Sequence, residues 1–198
     1  MSSTKSESER EKIELISQPK NLDIAFEVYE KFSGILKELQ EKFWIQIRGM
    51  IEEKRRESPA EFDGWSSPRP QGSISKNYFS VGLEPENPKA KEYCYLSFGQ
   101  EKLENNNFRL RYGIFCNCNP IPEKARPRYE ELRIHLEKHG FRKGEGFIGK
   151  KALDEDLYEI LRALSRDDDT RLSSLVGELI DLFKDTRSKM DALNGAFA

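Results

Sequence analysis

From Pro19 to about Arg56 the apolar side chains recur at helical spacing. Leu22, Tyr29, Leu36, Phe43 and Met50 return every seven residues, and Phe26, Phe32, Leu39 and Ile47 flank them on the same side. Val28, Ile35 and Trp44 widen the stripe beyond a coiled-coil seam. The pattern predicts a long N-terminal helix. Pro19 suits its first turn, with Ser17 or Gln18 near the cap, and Ser58-Pro59 ends it. Gly34 is where it would break into two helices. Residues 57–73 are rich in turn formers, and Trp65 within them is expected to fold back onto the core.

The period then changes from helical to alternating. Ser73 to Leu83 brings Phe79, Val81 and Leu83 to one face, and Tyr93 to Gly99 does the same for Cys94, Leu96 and Phe98. Phe108 to Cys118 puts Phe108, Leu110, Tyr112, Ile114, Cys116 and Cys118 on one face and Arg109, Arg111, Gly113, Phe115 and Asn117 on the other. Short polar connections favour an antiparallel meander. Gly82, Gly99 and Gly113 mark bulges or close packing. A proline-rich connection leads to a helix from about Pro127 to His139, stopped by Gly140. Tyr129, Leu132 and Leu136 form its inward face, with His139 on that face and His135 at its border. Phe141 to Gly149 reads as a short fourth strand or a loop. Two acidic helices follow. Asp154 caps the first, which carries Leu157, Leu161 and Leu164. The second carries Leu172, Leu175, Val176, Leu179, Ile180 and Phe183.

The expected fold class is α+β: a long N-terminal helix, a three-stranded antiparallel meander with or without a fourth strand, then three helices. The expected layout is a flexible charged tail over 1–17, a helix, meander and helix core over 18–153, and C-terminal helices over 154–193 packed on the N-terminal helix, all in one domain. The broad stripe of the 20–56 helix also suits self-association or a protein partner.

A chain of 198 residues supports one core of good size. Its aromatic content of 11% argues against general disorder despite 34% charged residues. There is no apolar run long enough to cross a membrane and no apolar signal-peptide core in the first twenty residues. Three cysteines, an odd number, do not make a disulfide framework, so a reducing, cytoplasmic setting is expected.

The formal net charge of −2 conceals a partition. Residues 109–151 hold 11 basic and 5 acidic side chains, while residues 152–198 hold 6 basic and 11 acidic. A polyanion partner would meet the first of these segments, unless the second neutralises it within the fold. Arg109 and Arg111 point the same way from one strand, and Tyr93, Tyr95 and Phe115 fall on that sheet face. Lys124, Arg126 and Arg128 precede or open the next helix. Basic side chains beside aromatic platforms suit phosphates and unpaired bases, so these five residues are the candidate nucleic-acid contacts. The helix, three strands, helix order resembles double-stranded-RNA-binding domains. The resemblance is one of element order. The family's lysine-rich opening of the second helix and its histidine-containing loop are not reproduced here.

Metal chemistry gathers at one place. Cys116 and Cys118 share a strand face, His135 and His139 share a helix face, and sixteen residues separate the pairs. Four such ligands would make a structural zinc site. The common finger has roughly two to four residues between its cysteines and about twelve before its histidines, so the spacing differs. Buried strand cysteines also serve as small apolar side chains.

Catalytic motifs are missing: no phosphate-binding P-loop, dinucleotide fingerprint or serine-hydrolase elbow occurs. A magnesium-dependent nuclease needs a strand-borne acid followed by Glu-x-Lys or Asp-x-Lys. Glu52 and Lys54 have that spacing but lie at a helix end. Glu84, Glu86 and Lys89, with Asp63, could improvise a site. Asp167, Asp168 and Asp169 read as a helix cap and solvated joint. The expected function is a non-catalytic binding or adaptor protein that contacts a polyanion, nucleic acid first among them, through residues 109–151. A small magnesium-dependent nuclease with an atypical site and a purely protein-binding scaffold acting through amphipathic helices are the alternatives. No membrane partner is expected, and zinc is the sole candidate cofactor.

Overall fold

The computed structural model describes residues 14–15, 17–67, 71–72, 78–86, 88, 91–102, 108–156, 160–161 and 169–198. Two compact units divide the chain, residues 1–40 and residues 41–198. The boundary falls within helix α1, Pro19–Glu57, which is continuous through Gly34. In the first unit Ile24, Val28 and Ile35 are exposed, and Lys31 pairs with Glu27 one turn away.

In the second unit a 3-10 turn over Pro59–Phe62 leads to β1, Trp65–Ser66, and β2, Gln71–Gly72. The long strands are β3, Tyr78–Pro85, β4, Cys94–Lys102, and β5, Phe108–Cys116. Helix α2, Arg126–Lys138, precedes β6, Arg142–Gly144, and β7, Phe147–Asp156, and helix α3, Asp169–Phe197, ends the chain. The sheet is antiparallel in the order β1-β3-β4-β5-β7-β6, with β2 also paired to β3. No helix among the described residues is long and apolar enough to cross a membrane.

This corrects the expected three-stranded meander followed by three helices. The sheet has further strands on both sides of the β3-β4-β5 meander. Phe141 to Gly149 contributes β6 and the first half of β7, and β7 runs on to Asp156 through the point where Asp154 was expected to cap a helix. The run Lys150-Lys151-Ala152-Leu153 favours helix by local propensity, but pairing along β5 overrides it. The third strand ends at Cys116, short of Cys118. After β7, Ile160 and Leu161 are helical and buried. Leu157, Leu164, Asp167 and Asp168 lie outside the described residues, as does most of the 1–17 tail.

The inner face of the sheet carries Val81, Leu83, Leu96, Phe98, Leu110 and Ile114, all buried. Covering side chains come from the apolar stripes of α2 (Tyr129, Leu132, Leu136) and α3 (Leu172, Leu175, Val176, Leu179, Phe183). The second-unit part of α1 adds Phe43, Trp44, Ile47 and Ile51. The Trp44 ring lies 5.2 Å from both Phe79 and Phe98, and its indole N–H donates to Gln100 Oε1 at 3.1 Å. Gln100 is fully buried among apolar neighbours, where its amide needs such a partner.

The segment before the sheet is fastened to α3. Phe62 stacks on Phe183 at 5.2 Å, and Trp65 meets the same ring edge-on. The Trp65 indole donates to Asp191 Oδ1 at 2.9 Å. The Arg187 guanidinium donates to the backbone carbonyls of Ala60, Glu61 and Asp63. Asn194 accepts from the Cys94 amide at 2.7 Å and donates back to its carbonyl at 3.1 Å, so α3 also grips β4.

A row of small residues crosses the outer face, with Gly82, Ser97 and Gly113 in register. A Cβ on Gly113 would stand 2.1 Å from the Gly149 carbonyl oxygen, and one on Gly82 would stand 1.9 Å from that of Leu96. Only glycine allows neighbouring strands to come this close.

Candidate functional site

A groove of about 980 Å³ opens along the outer face and reaches Cys116, Cys118 and Tyr129. One wall is an aromatic row drawn from three strands and the residue before β4. Tyr93 and Tyr95 have ring centroids 5.7 Å apart, Tyr95 and Phe115 are 5.2 Å apart, and Phe115 and Phe147 meet edge-on at 5.1 Å. Strand register explains the row, since Tyr95 pairs with Phe115 and Phe115 with Phe147. Tyr93 is held by Asn117, whose Oδ1 accepts from the Tyr93 amide at 2.6 Å and whose Nδ2 donates to the Lys91 carbonyl at 2.9 Å. Burial, then the nearby Glu84 carboxylate, raises the Tyr93 phenol above its ordinary value, and the phenol donates to Glu84 at 3.4 Å.

Charge enters at the Phe147 end. The Arg111 guanidinium carbon lies 4.9 Å from the Phe147 ring centroid, and Lys150 Nζ lies 6.0 Å from it. Glu101 Oε2 accepts from Arg111 at 3.0 Å and stands 3.9 Å from Lys150 Nζ. Two cations thus share the Glu101 carboxylate beside the aromatic row. Lys143 and Glu145 of the β6–β7 hairpin and Asn119, Ile121 and Tyr129 line the opposite side.

The sequence-predicted contacts are only partly gathered here. Arg111 lines the groove, while Arg109 is exposed farther along the same face, opposite Glu101. Lys124, Arg126 and Arg128 are exposed at the start of α2, outside the groove lining, and Arg128 pairs with Glu131 at 3.0 Å. Lys143 and Lys150 were not singled out from sequence. Their signal is the β6–β7 hairpin, which returns them to the Arg111 face.

The four candidate zinc ligands are not brought to one point. Cys116 pairs in register with Cys94 on the inner face, and both are buried, as is Cys118. Burial pushes the Cys116 thiol up to about 12 and the Cys94 thiol well above its ordinary value. His135 and His139 instead meet Asp185 of α3. Among the described residues these three form the one group of histidine, cysteine and acidic ligand atoms close enough for a metal, all within 4.8 Å of one another. His139 is exposed and His135 partly so, which corrects the expectation that His139 faces inward.

No acidic metal cluster forms around Glu84 among the described residues. Glu84 accepts from Tyr93, Glu86 pairs with Arg55 at 3.3 Å, and Lys89 lies outside the described residues. Glu52 accepts from Arg55 at 3.0 Å. The fold and groove define an α+β protein with an antiparallel sheet whose outer face carries aromatic and cationic side chains. No protein-family model matches the chain, and neither a curated protein nor a solved structure matches it.

Proposed function

We propose that this is a non-catalytic binding protein whose groove receives unpaired nucleotides of a nucleic acid. One observation carries the reading: the Tyr93, Tyr95, Phe115 and Phe147 row runs directly into the Arg111, Glu101 and Lys150 cluster. Aromatic rings offer stacking surface to any base, and adjacent cations attract the phosphates that link bases. Arg109 extends the positive charge along the same sheet face. The described groove cations, Arg111, Lys143 and Lys150, suit one or two nucleotides rather than a long duplex footprint.

The test is fluorescence anisotropy with labelled single-stranded DNA, single-stranded RNA and duplex probes at low and physiological salt. Single strands bind more tightly than duplexes, and affinity falls with salt. Tyr93→Ala weakens binding by about 1–3 kcal/mol, the range for one stacked base. Lys143→Ala with Lys150→Ala flattens the salt slope by about two. Absence of binding at low salt, or binding indifferent to all three substitutions, overturns the reading. A scaffold role is favoured by a different observation, the exposed Ile24, Val28 and Ile35 of α1. Self-association lost on Ile24→Glu with Val28→Glu is its test.

A further inference from the structure

Helices α2 and α3 pack together, and near one end of α2 three ligand-bearing side chains converge. His135 and His139 are one turn apart on α2, with ring centroids 4.8 Å apart. His135 Nε2 lies 2.6 Å from Asp185 Oδ2, which comes from α3. Gly140, at φ +81°, ends α2 in a left-handed turn. Its amide donates to the Glu137 carbonyl and the Phe141 amide to that of Leu136, both at 3.0 Å. This closure satisfies the last carbonyls and fixes His139 in the final turn.

We propose that His135, His139 and Asp185 form a binding site for a divalent transition-metal ion of the zinc class, and that the ion clips α2 to α3. Two imidazole nitrogens and one carboxylate oxygen are a borderline donor set that suits zinc. Three protein ligands leave coordination open to water. Zinc bonds of about 2.0–2.2 Å in a tetrahedron hold ligand atoms roughly 3.3 Å apart. The 2.6 Å contact therefore opens slightly and the wider separations, at most 4.8 Å, close. Side-chain rotation suffices, because His139 and Asp185 are both exposed and nothing needs to be unpacked. Any proton held between His135 and Asp185 leaves when the metal enters. The cysteines take no part, and neither histidine nor Asp185 lines the groove.

The experiment is zinc titration of the full chelator-treated chain by calorimetry, together with the absorption spectrum of its cobalt(II) form. One zinc binds per chain and raises the Tm by about 5 °C at a hundredfold excess over Kd. His139→Ala and Asp185→Asn each weaken zinc at least tenfold, while Cys118→Ser leaves it unchanged. The cobalt form shows d–d bands without an intense thiolate charge-transfer band. Circular dichroism of the apo variants confirms that these exposed substitutions leave the fold intact. No saturable zinc binding, stoichiometric binding that survives His139→Ala, or a thiolate charge-transfer band each overturns the assignment.

Discussion

Gly113→Ala adds one methyl group, and the close approach of the β7 backbone dictates its cost. The new Cβ would lie 2.1 Å from the Gly149 carbonyl oxygen and 2.8 Å from Lys150 Cα, where ordinary contact begins near 3.4 Å. Strands β5 and β7 must therefore part locally by about 1.3 Å, the difference between those contacts. Both obstructing groups are backbone, so no rotamer change can relieve the clash. Overpacking of this kind costs about 1–3 kcal/mol. The ladder bonds next to it, at roughly 0.5–1.5 kcal/mol each, are weakened as well. Against this, alanine restricts the unfolded chain by about 0.4–1 kcal/mol in favour of folding. The expected net loss is about 2–4 kcal/mol. Gly49→Ala is the matched control. It sits in α1, is exposed, and has nothing within 4 Å of its would-be Cβ. There the same substitution stabilises by about 0.5–1 kcal/mol. Urea unfolding of both variants, with parent m-values as the check, reads the two signs directly. A Gly113→Ala protein as stable as its parent would refute the argument that the strands approach too closely for a side chain.

Leu132→Ala, at a fully buried position on the inward face of α2, lowers unfolding free energy by about 2–5 kcal/mol in the same assay; a loss below 1 kcal/mol would place α2 off the core. The Cys116 thiol, raised from 9.0 to about 12, is alkylated roughly a thousandfold more slowly in the folded chain than in urea at pH 8, by mass spectrometry of iodoacetamide-treated samples. Comparable rates would sink that claim. Stability also falls at alkaline pH. The Tyr112 phenol is raised by burial and then by Glu178 to about 12, and Cys116 to the same value, so both stay protonated in the folded chain after the unfolded chain has ionised. The unfolded state then binds fewer protons. The stability contribution is therefore complete below pH 9 and declines through about pH 12. Urea midpoints at pH 8 and pH 10.5 check this, and equal midpoints would contradict it.

Much of the architecture could be read along the chain where one period dominates. The inward faces of α2 and α3 followed from spacing, because each helix buries one stripe against a single partner surface. The alternation of Phe108–Cys116 separated the arginine face of β5 from its core face, and Trp65 was placed in the core by its size and apolarity. β7 was not legible as a strand throughout, since Lys150 to Asp156 carries no apolar alternation and owes its conformation to β5. Gln100 gave no sign of its buried role, because a glutamine on a core face looks like a break in the pattern until Trp44 supplies its donor. The histidine pair was visible at helical spacing, yet Asp185 stands fifty positions away and no local rule connects them. The sequence also drew Cys116 and Cys118 toward the histidines. In the fold those thiols pair with the inner face instead.

The grip of α3 on Ala60, Glu61, Asp63, Trp65 and Cys94 bears on the order in which the molecule is made. These contacts join positions up to 127 residues apart, and α3 leaves the ribosome after every one of the segments it grips. Until then β4 lacks its cover and Phe62 and Trp65 lack the Phe183 ring. The nascent chain can form α2 and the sheet hairpins, which need only nearby partners, but it waits for α3 before the core is sealed. A ribosome stalled at the β7–α3 connection would hold a sheet with one face still wet, open to chaperones and to aggregation.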